Sequence, residues 1–282
     1  MLGGFNIRGY RGPVAHQRQP NDIRIVFAGG TRAFGWGEPV TATTVASVRF
    51  EIARVIDQPG AALRPLEVIN LGQLGALPES YPATFDRYAS LHPDYIGILD
   101  DLGERGPNPP FAASGIFMAT GYRPILPLVL HEKGAIVGSR MIGVPLECVG
   151  SALATLDRWL ARGAGTAAAA SATSPDAYAD AMIAAIDAAH RHARGVVVAL
   201  APIDTEPQRR NFDVLSARLA ARGKAPWLRI VDLSEHADLY DPQLRLDGFS
   251  FGASASSLAA QAIAPAFLDL LRADPGSLGS RF

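Results

Sequence analysis

Apolar residues cluster in five short runs along the chain, and each run predicts a β-strand. The runs are nearly unbroken by polar residues and close at Gly, Pro or Asp. Runs of this kind are typical of parallel strands that have helices on both faces. The predicted strands span 23–28, 66–71, 95–99, 196–201 and 228–232.

Between these runs, apolar residues recur at helical spacing. Ser174 and Pro175 form the N-cap and first-turn pair of a helix start, and Gly195 and Gly223 lie where two helices should end. The alternation predicts an α/β fold, a doubly wound (flavodoxin-like) five-stranded parallel sheet in three α/β/α layers. A ligand crevice is expected at the carboxyl ends of its strands. The predicted helices span 41–56, 82–91, 174–194, 212–222 and 254–271.

The alternation is interrupted at 105–173, which is rich in Pro at its start and in Ala, Gly, Ser and Thr at its end. We interpret this region as an inserted cap with a connector, with helical stretches near 126–132 and 145–162. The predicted parts are an extended arm at 1–22, one domain at 23–272 with that insertion, and a tail at 273–282.

Composition excludes several classes of protein and site. The 282 residues carry 26 Lys+Arg and 27 Asp+Glu, a net charge of -1, so no electrostatic nucleic-acid or membrane surface is expected. The single cysteine, Cys148, excludes an intramolecular disulfide and an all-cysteine metal site. No apolar stretch approaches ~18 residues, which predicts no membrane span. Met1–Gly4 lacks the apolar core of a signal peptide, and no cofactor or metal is predicted.

The turn after the first predicted strand carries a recognisable pattern. Gly29-Gly30-Thr31 follows the strand, and Phe34-Gly35-Trp36-Gly37 comes soon after. This stretch resembles the first motif of the SGNH/GDSL hydrolase family, in which Gly-Asp-Ser precedes Phe-Gly-Trp-Gly. By this resemblance, Gly30 stands at the aspartate position and Thr31 at the position of the nucleophilic serine.

Three further blocks resemble that family in order and spacing, and the resemblance extends from residue 5 to about residue 268. Asn70-Leu71-Gly72-Gln73-Leu74-Gly75 implies that Gly75 is an oxyanion-hole glycine. In the block after the third strand, the family's Gly falls on Asp101 and its Asn on Gly103. In Asp247-Gly248-Phe249-Ser250 the catalytic Asp is kept at Asp247, and Ser250 replaces the His.

These departures predict that ordinary Ser-His-Asp hydrolysis is lost, because the members of such a unit act together. Ser250 cannot accept a proton near neutral pH. Gly103 lacks an oxyanion donor, which is typically worth ~3 kcal/mol. The methyl group of Thr31 crowds the attack path. Among the six histidines, His131 in the cap and His236 after the fifth strand could supply a base, although a surface role is the expectation for both.

The remaining candidate residues would bind a ligand. They are Gly30, Arg32, Gly75, Asp100, Asp101 and Asp204. Arg32 suits an anion at a helix N-terminus, and the alternative is a salt bridge to Asp100 or Asp101. Asp100, Asp101 and Glu104 suggest a cation site or an acid/base pair, and the alternative is a solvated strand end.

Three functions are consistent with these residues. The first is a non-hydrolytic SGNH-like protein that binds a carbohydrate, an acyl-sugar, an anion or a protein partner. Relatives in that family act on acylated carbohydrates of the cell envelope, which allows a periplasmic or cell-envelope location if a targeting segment has been removed. The second is an esterase or acyltransferase with a rewired centre at Thr31. The third is a structural subunit that assembles through its cap.

Overall fold

Five parallel strands form one sheet with the order β2-β1-β3-β4-β5. The computed structural model describes residues 6–56, 65–104, 174–246 and 249–274. In this strand order, β2 lies on one side of β1, and β3, β4 and β5 follow one another on its other side. This is the doubly wound arrangement that the alternation of strands and helices in the sequence predicts. The strands are β1 Ile23–Gly29, β2 Leu66–Asn70, β3 Tyr95–Asp100, β4 Gly195–Leu200 and β5 Leu228–Asp232.

Burial follows position in the sheet. Every residue of β1, β3 and β4 is buried, which explains why these runs contain so few polar residues. The edge strands β2 and β5 are only partly buried and contain Glu67 and Arg229. Pairing of Phe27 with Asn70 on one side and Gly97 on the other brings the carboxyl ends of the central strands to one edge.

Helices cover both faces of the sheet and produce the predicted three layers. One core contains Ile25 and Phe27 of β1 with apolar residues of α2 and α6. The other contains Ile98 of β3 and Val198 of β4 with residues of α3, α4 and α5. The α-helices are α1 Thr31–Phe34, α2 Thr44–Ile56, α3 Tyr81–Arg87, α4 Pro175–His192, α5 Glu206–Arg222 and α6 Ala253–Ala273. Short 3-10 helices span Val40–Ala42, Pro78–Ser80, Ala89–Leu91, Leu233–Glu235, Ala237–Tyr240 and Pro242–Leu244.

The start of α5 corrects one predicted boundary. The sequence pattern placed this start at 212, but the helix begins at Glu206. The Thr205 side chain accepts a hydrogen bond from the backbone of Gln208, and the Gln208 side chain accepts one from the backbone of Thr205. This reciprocal capping box satisfies the first turn, and Pro207 fits there because the first turn needs no N–H from it.

The described part of the N-terminal arm packs on the sheet edge. Tyr10 is buried against Tyr88, and Arg11 forms an antiparallel bridge with Asn70. The predicted cap at 105–173, including its two helical stretches, lies outside the described residues. The tail is described only as far as Asp274.

Among the described residues, α6 is long and apolar enough to cross a membrane by length and composition, contrary to the sequence-based expectation. Half of its most apolar 18-residue window is buried inside the protein. Ala259, Ile263 and Phe267 of this helix belong to the core shared with α2 and the sheet. These are also the properties of a core helix, so length and composition here are weak evidence for a membrane span.

Candidate functional site

The candidate site lies at the carboxyl ends of β1 and β3, where the strand order reverses. Doubly wound sheets bind their ligands at this point. Gly29 ends β1 with φ 154°, and a side-chain carbon there would overlap the carbonyl oxygen of Leu99 in β3. Glycine therefore allows the two strand ends to approach, and the turns that follow them face each other.

Thr31 begins the short helix α1 and is fully buried. Its hydroxyl oxygen accepts a hydrogen bond of 3.2 Å from the backbone N–H of Gly75, which lies in the loop after β2. The structure thus brings together the residues at the predicted nucleophile and oxyanion-hole positions. The Gly75 N–H therefore donates to the Thr31 hydroxyl and not into an open oxyanion hole.

Asp101 occupies the space next to Gly30. A side-chain carbon on Gly30 would overlap the Oδ2 atom of Asp101. The Asp101 carboxylate accepts backbone hydrogen bonds from Arg32 and Thr31, so it caps α1 in place of an N-cap side chain. Burial raises the pKa of Asp101 to about 7, although the Arg32 guanidinium opposes that rise. By the resemblance to the SGNH/GDSL motifs, Gly30 stands at the position of the family's Asp, and Asp101 stands at the position of its Gly. The two residue types are therefore exchanged between the two turns.

Arg32 is 1% exposed, and its guanidinium fills the middle of the site. Its Nη2 lies 3.0 Å from the carboxylate of Asp204, its Nη1 lies 3.5 Å from that of Asp101, and its Nε donates to the carbonyl oxygen of Phe249. The guanidinium also lies 4.1 Å from the ring centroid of Phe249 and 5.1 Å from that of Phe251. Of the two predicted alternatives, the geometry matches the salt bridge, with Asp101 as one partner.

Asp204 is shared between two arginines. It lies in the loop after β4, and its other carboxylate oxygen lies 2.8 Å from Nη2 of Arg245. Arg245 also donates to the carbonyl oxygen of Leu239 through Nε and Nη2. The loops after β1, β3, β4 and β5 are therefore tied together by one cluster of charges, of which Arg32, Asp101 and Arg245 are buried.

Asp100 points away from that cluster. Its carboxylate accepts hydrogen bonds from the hydroxyl groups of Tyr81 and Tyr178 and from the backbone N–H of Leu102. Burial raises the pKa of Asp100, and these hydrogen bonds oppose the rise. The predicted pairing of Asp100 with Asp101 as one acidic site is not what the structure shows, because adjacent residues at a strand end face opposite sides.

Glu104 is the other acidic residue at this end of β3. Its Oε2 is buried with no hydrogen-bond partner among the described residues. Burial raises the pKa of Glu104, Arg32 lowers it and Asp204 raises it. Among the described residues, no three His, Cys, Asp or Glu side chains are grouped as they would need to be to hold a metal ion.

Gly103 stands where the family has its oxyanion asparagine, and a different side chain fills that space. Gly103 has φ 80°, and a side-chain carbon there would lie 2.6 Å from Nδ2 of Asn211. Asn211 belongs to α5 and donates to the carbonyl oxygen of Leu102. An asparagine at 103 would meet both a strained backbone and an occupied space.

Histidines of the described chain have their contacts away from Thr31. His16 pairs with Asp22 and Glu67, and His192 pairs with Asp86. His190 stacks on Trp227 with the ring centroids 3.8 Å apart. His92 precedes β3, at the opposite end of the sheet, and His236 is exposed in the loop after β5. His131 and Asp247 lie outside the described residues, and Ser250 is buried.

In the described part of the site, the hydrogen-bond donors that a substrate would need have acceptors within the protein. A carboxylate accepts the N–H groups at the start of α1, a threonine hydroxyl accepts that of Gly75, and an arginine fills the space between the loops. An oxyanion hole needs donors directed at an empty position. In this site those donors are directed at the protein itself.

Several residues in and around the candidate site were not predicted from the sequence. They are Arg245, Asn211, Phe249 as a stacking partner, Tyr81 and Tyr178. Arg245 follows the short Pro242–Leu244 turn, two residues before the block matched to the family, and its charge was a usable signal. The two tyrosines looked like ordinary core residues, because nothing in their local sequence identifies Asp100 as their partner.

No protein-family model and no curated protein matches the chain. Solved structures do match. A lipase/acylhydrolase from Enterococcus faecalis is 15% identical with a TM-score of 0.50, over 87% of this chain and 95% of that one. A protein assigned to the G-D-S-L lipolytic family from Desulfitobacterium hafniense is 11% identical with a TM-score of 0.47, over 86% and 99% of the two chains. A catalytic mutant of an acetylxylan esterase from Geobacillus stearothermophilus is 14% identical with a TM-score of 0.46, over 88% and 94%.

Sheet order, layer structure and the likeness to the E. faecalis lipase/acylhydrolase agree with one another. At 15% identity, this likeness concerns the fold alone. The chain has the fold of the SGNH/GDSL hydrolases.

Proposed function

We propose that this protein uses an SGNH-hydrolase-like fold to bind a ligand without hydrolysing it. The observation that carries the proposal is the position of Arg32. Its buried guanidinium lies between Asp101, Asp204 and the carbonyl oxygen of Phe249, in the space between the loops where an ester would have to be held. Removing that side chain would leave the buried Asp101 carboxylate without its cation and would take one of two arginines from Asp204, so Arg32 is held in place by charge.

The state of the hydroxyl supports the same proposal. A serine or threonine nucleophile needs a base within hydrogen-bond reach. None of the described histidines hydrogen-bonds to Thr31, and the Gly75 N–H donates to its hydroxyl oxygen. Within the described part of the chain, the backbone donors that would stabilise an oxyanion also have internal acceptors, which supports a site that does not hydrolyse its ligand.

The ligand class is proposed from the family resemblance. Relatives with these motifs act on acylated carbohydrates, so we propose a carbohydrate or acyl-sugar as the ligand, bound at the loop ends of the sheet. Arg32 itself is too deeply buried to be the direct contact for an anion. A protein partner at the same face is the alternative occupant.

Hydrolysis is tested with p-nitrophenyl acetate and acetylated xylan. We expect the wild type and the Thr31→Ala variant to release product at the same background rate. Turnover that is lost in Thr31→Ala and kept in Thr31→Ser would overturn the non-hydrolytic proposal. Binding is tested by calorimetry against xylan and acetylated xylan oligosaccharides, where saturable binding without product supports the proposal. If no glycan binds and a partner protein co-purifies, the structural-subunit hypothesis takes its place.

One observation favours a second candidate, an enzyme with a rewired centre. Asp101 has a pKa of about 7 and accepts a hydrogen bond from the backbone N–H of Thr31, and a carboxyl with such a pKa is suited to general base catalysis near neutrality. This candidate requires a rate that rises with pH through about 7 and is abolished in Asp101→Asn. A flat, background-level pH profile in both proteins excludes it.

A further inference from the structure

A cavity of about 680 Å³ lies at the outer edge of the sheet, away from the candidate site. Its walls come from the arm, from α2 and from β2. Thr31, Arg32, Asp101 and Asp204 are not among its lining residues. The volume falls within the range of ~300–1,000 Å³ that is usual for small-molecule sites. The cavity is therefore independent of the charge cluster and of the function proposed for it.

The arm leaves this space open because of a proline. Arg11 N donates to Asn70 O at 3.0 Å, which starts an antiparallel pairing between the arm and the free edge of β2. Continued pairing would place Pro13 opposite Val68, and proline has no N–H to donate to the strand. The bridge between Arg11 and Asn70 is isolated, and Pro13 and the residues of β2 both line the cavity.

The walls of the cavity are largely apolar. α2 contributes Val45, Phe50 and Ala53, and β2 contributes Leu66 and Val68. Phe50 is 57% exposed, which is a high value for a large aromatic side chain. An apolar ligand in the cavity would cover part of this ring.

One cation on the rim, Arg49, forms no ion pair with any acidic residue that the structure describes. The only hydrogen bond of Arg49 within the described chain is from Nε to the carbonyl oxygen of Leu66, at 3.4 Å, so both Nη groups are available. The acidic residue in the lining, Glu67, is paired with Arg24 at 2.7 Å, and its other carboxylate oxygen lies 3.1 Å from Nδ1 of His16. The charge balance of the cavity therefore favours an anionic group at Arg49.

We propose that this cavity binds a small apolar carboxylate. The carboxylate pairs with the guanidinium of Arg49, whose two Nη groups can bind both oxygens at once, and the hydrocarbon part lies between α2 and β2. Lining residues on α2 run from Val45 to Ala53, a length of ~12 Å at 1.5 Å per residue. Because Arg49 lies midway along this run, we choose octanoate, a medium-chain carboxylate, as a probe that can pair with Arg49 and cover the apolar residues on one side of it.

The test is calorimetric titration of the full chain with octanoate and with octanamide, its uncharged analogue. Octanoate should bind, octanamide should bind more weakly, and Arg49→Ala should weaken octanoate by about fivefold, the effect of ~1 kcal/mol at a partly exposed pair. Arg54→Ala is the matched control, since Arg54 is an exposed arginine of the same helix that is not in the lining, and it should leave binding unchanged.

A second variant locates the site without touching a charge. Ala53→Leu extends a side chain into the cavity and should weaken octanoate and octanamide alike. Absence of octanoate binding, equal effects of the Arg49 and Arg54 variants, or unchanged binding in Ala53→Leu would each overturn the proposal. None of these results depends on whether p-nitrophenyl acetate is hydrolysed, so the two proposals fail separately.

Discussion

Nη2 of Arg32 lies 3.0 Å from Oδ2 of Asp204, and this ion pair joins the turn after β1 to the loop after β4. The two residues are 172 positions apart in the sequence. Because Asp204 also pairs with Arg245, the contact extends to the segment after β5. The ends of four strands are held by charge at the edge where doubly wound sheets bind their ligands.

Replacing Arg32 by methionine should destabilise the protein in a pH-dependent way. We expect a loss of ~3 kcal/mol in the free energy of unfolding at pH 8, because Asp101 would remain buried without its cation, whereas Asp204 would keep Arg245. The loss should be smaller at pH 5.5. Arg32 lowers the pKa of Asp101, so its removal raises that pKa further and favours the protonated, uncharged carboxyl at low pH.

Urea denaturation at the two pH values measures this difference. Arg54→Met is the control, because Arg54 is exposed and its pair with Glu51 at 3.6 Å is weak. Equal stability of Arg32→Met and the wild type at pH 8 would contradict the structural role assigned to Arg32.

Gly30 and Asp101 should behave as a coupled pair. Gly30→Ala should cost ~2 kcal/mol, since the added carbon overlaps the Asp101 carboxylate in a closed space. In an Asp101→Ala background the nearest remaining atom is the carbonyl oxygen of Ala76 at 3.2 Å, and the same change should cost under ~1 kcal/mol. A double-mutant cycle by thermal denaturation measures the coupling, and strictly additive costs would show that the contact is absent.

Gly103 and Gly223 form a matched pair for testing the oxyanion position. Both have positive φ, 80° and 76°, but a side-chain carbon meets Asn211 at 103 and nothing within 4 Å at 223. Gly223→Ala should therefore lower the free energy of unfolding by only ~1 kcal/mol, because alanine is strained at this positive φ. Gly103→Ala should cost ~1–3 kcal/mol more because Asn211 must move. Chemical denaturation of both variants gives the comparison, and equal costs would contradict the occupied-space argument.

Glu38 should make the protein less stable as pH rises. It is 2% exposed, one carboxylate oxygen accepts the Ser256 hydroxyl at 2.9 Å, and burial raises its pKa to about 8. The folded state therefore holds a proton that the unfolded chain loses above about 4.5, the ordinary value for the group. The protonated Glu38 side chain makes its full contribution to the free energy of unfolding below pH 4.5. That contribution decreases as the pH rises and is lost at about pH 8.

Glu38→Gln imitates the protonated form and should remove this part of the pH dependence. At pH 9 we expect the variant to be more stable than the wild type by on the order of 3 kcal/mol, with a much smaller difference at pH 5. Glu235→Gln, at an exposed position, should keep the wild-type pH dependence. Parallel stability–pH curves for Glu38→Gln and the wild type would show that Glu38 titrates normally.

The sheet could be predicted from the sequence because its signal is local. Central strands such as β3 and β4 are short apolar runs, and the burial that requires this composition is visible in the residues themselves. The start of α5 was missed although the signal was present. Thr205 and Gln208 have capping-box spacing, but the prolines around them suggested a loop.

The candidate site was predictable only in part, because its partners are distant in sequence. Strand parity could have separated Asp100 from Asp101, since neighbouring residues on a strand face opposite sides. Nothing local to Arg32 indicates that Asp204 will neutralise it, or that the rings of Phe249 and Phe251 will lie beside it. Whether an arginine binds a ligand or an internal carboxylate depends on which loops meet, and that is a property of the fold.

The contact between Gly30 and Asp101 also restricts which single substitutions the chain can tolerate. While Asp101 holds its present conformation, an aspartate cannot be accommodated at position 30, because its first side-chain carbon would overlap the carboxylate already there. If Asp101 alone changes, Arg32 loses a counter-ion and the start of α1 loses its cap. Exchanging the two residues therefore requires both substitutions together, since either one alone lowers the stability of this turn.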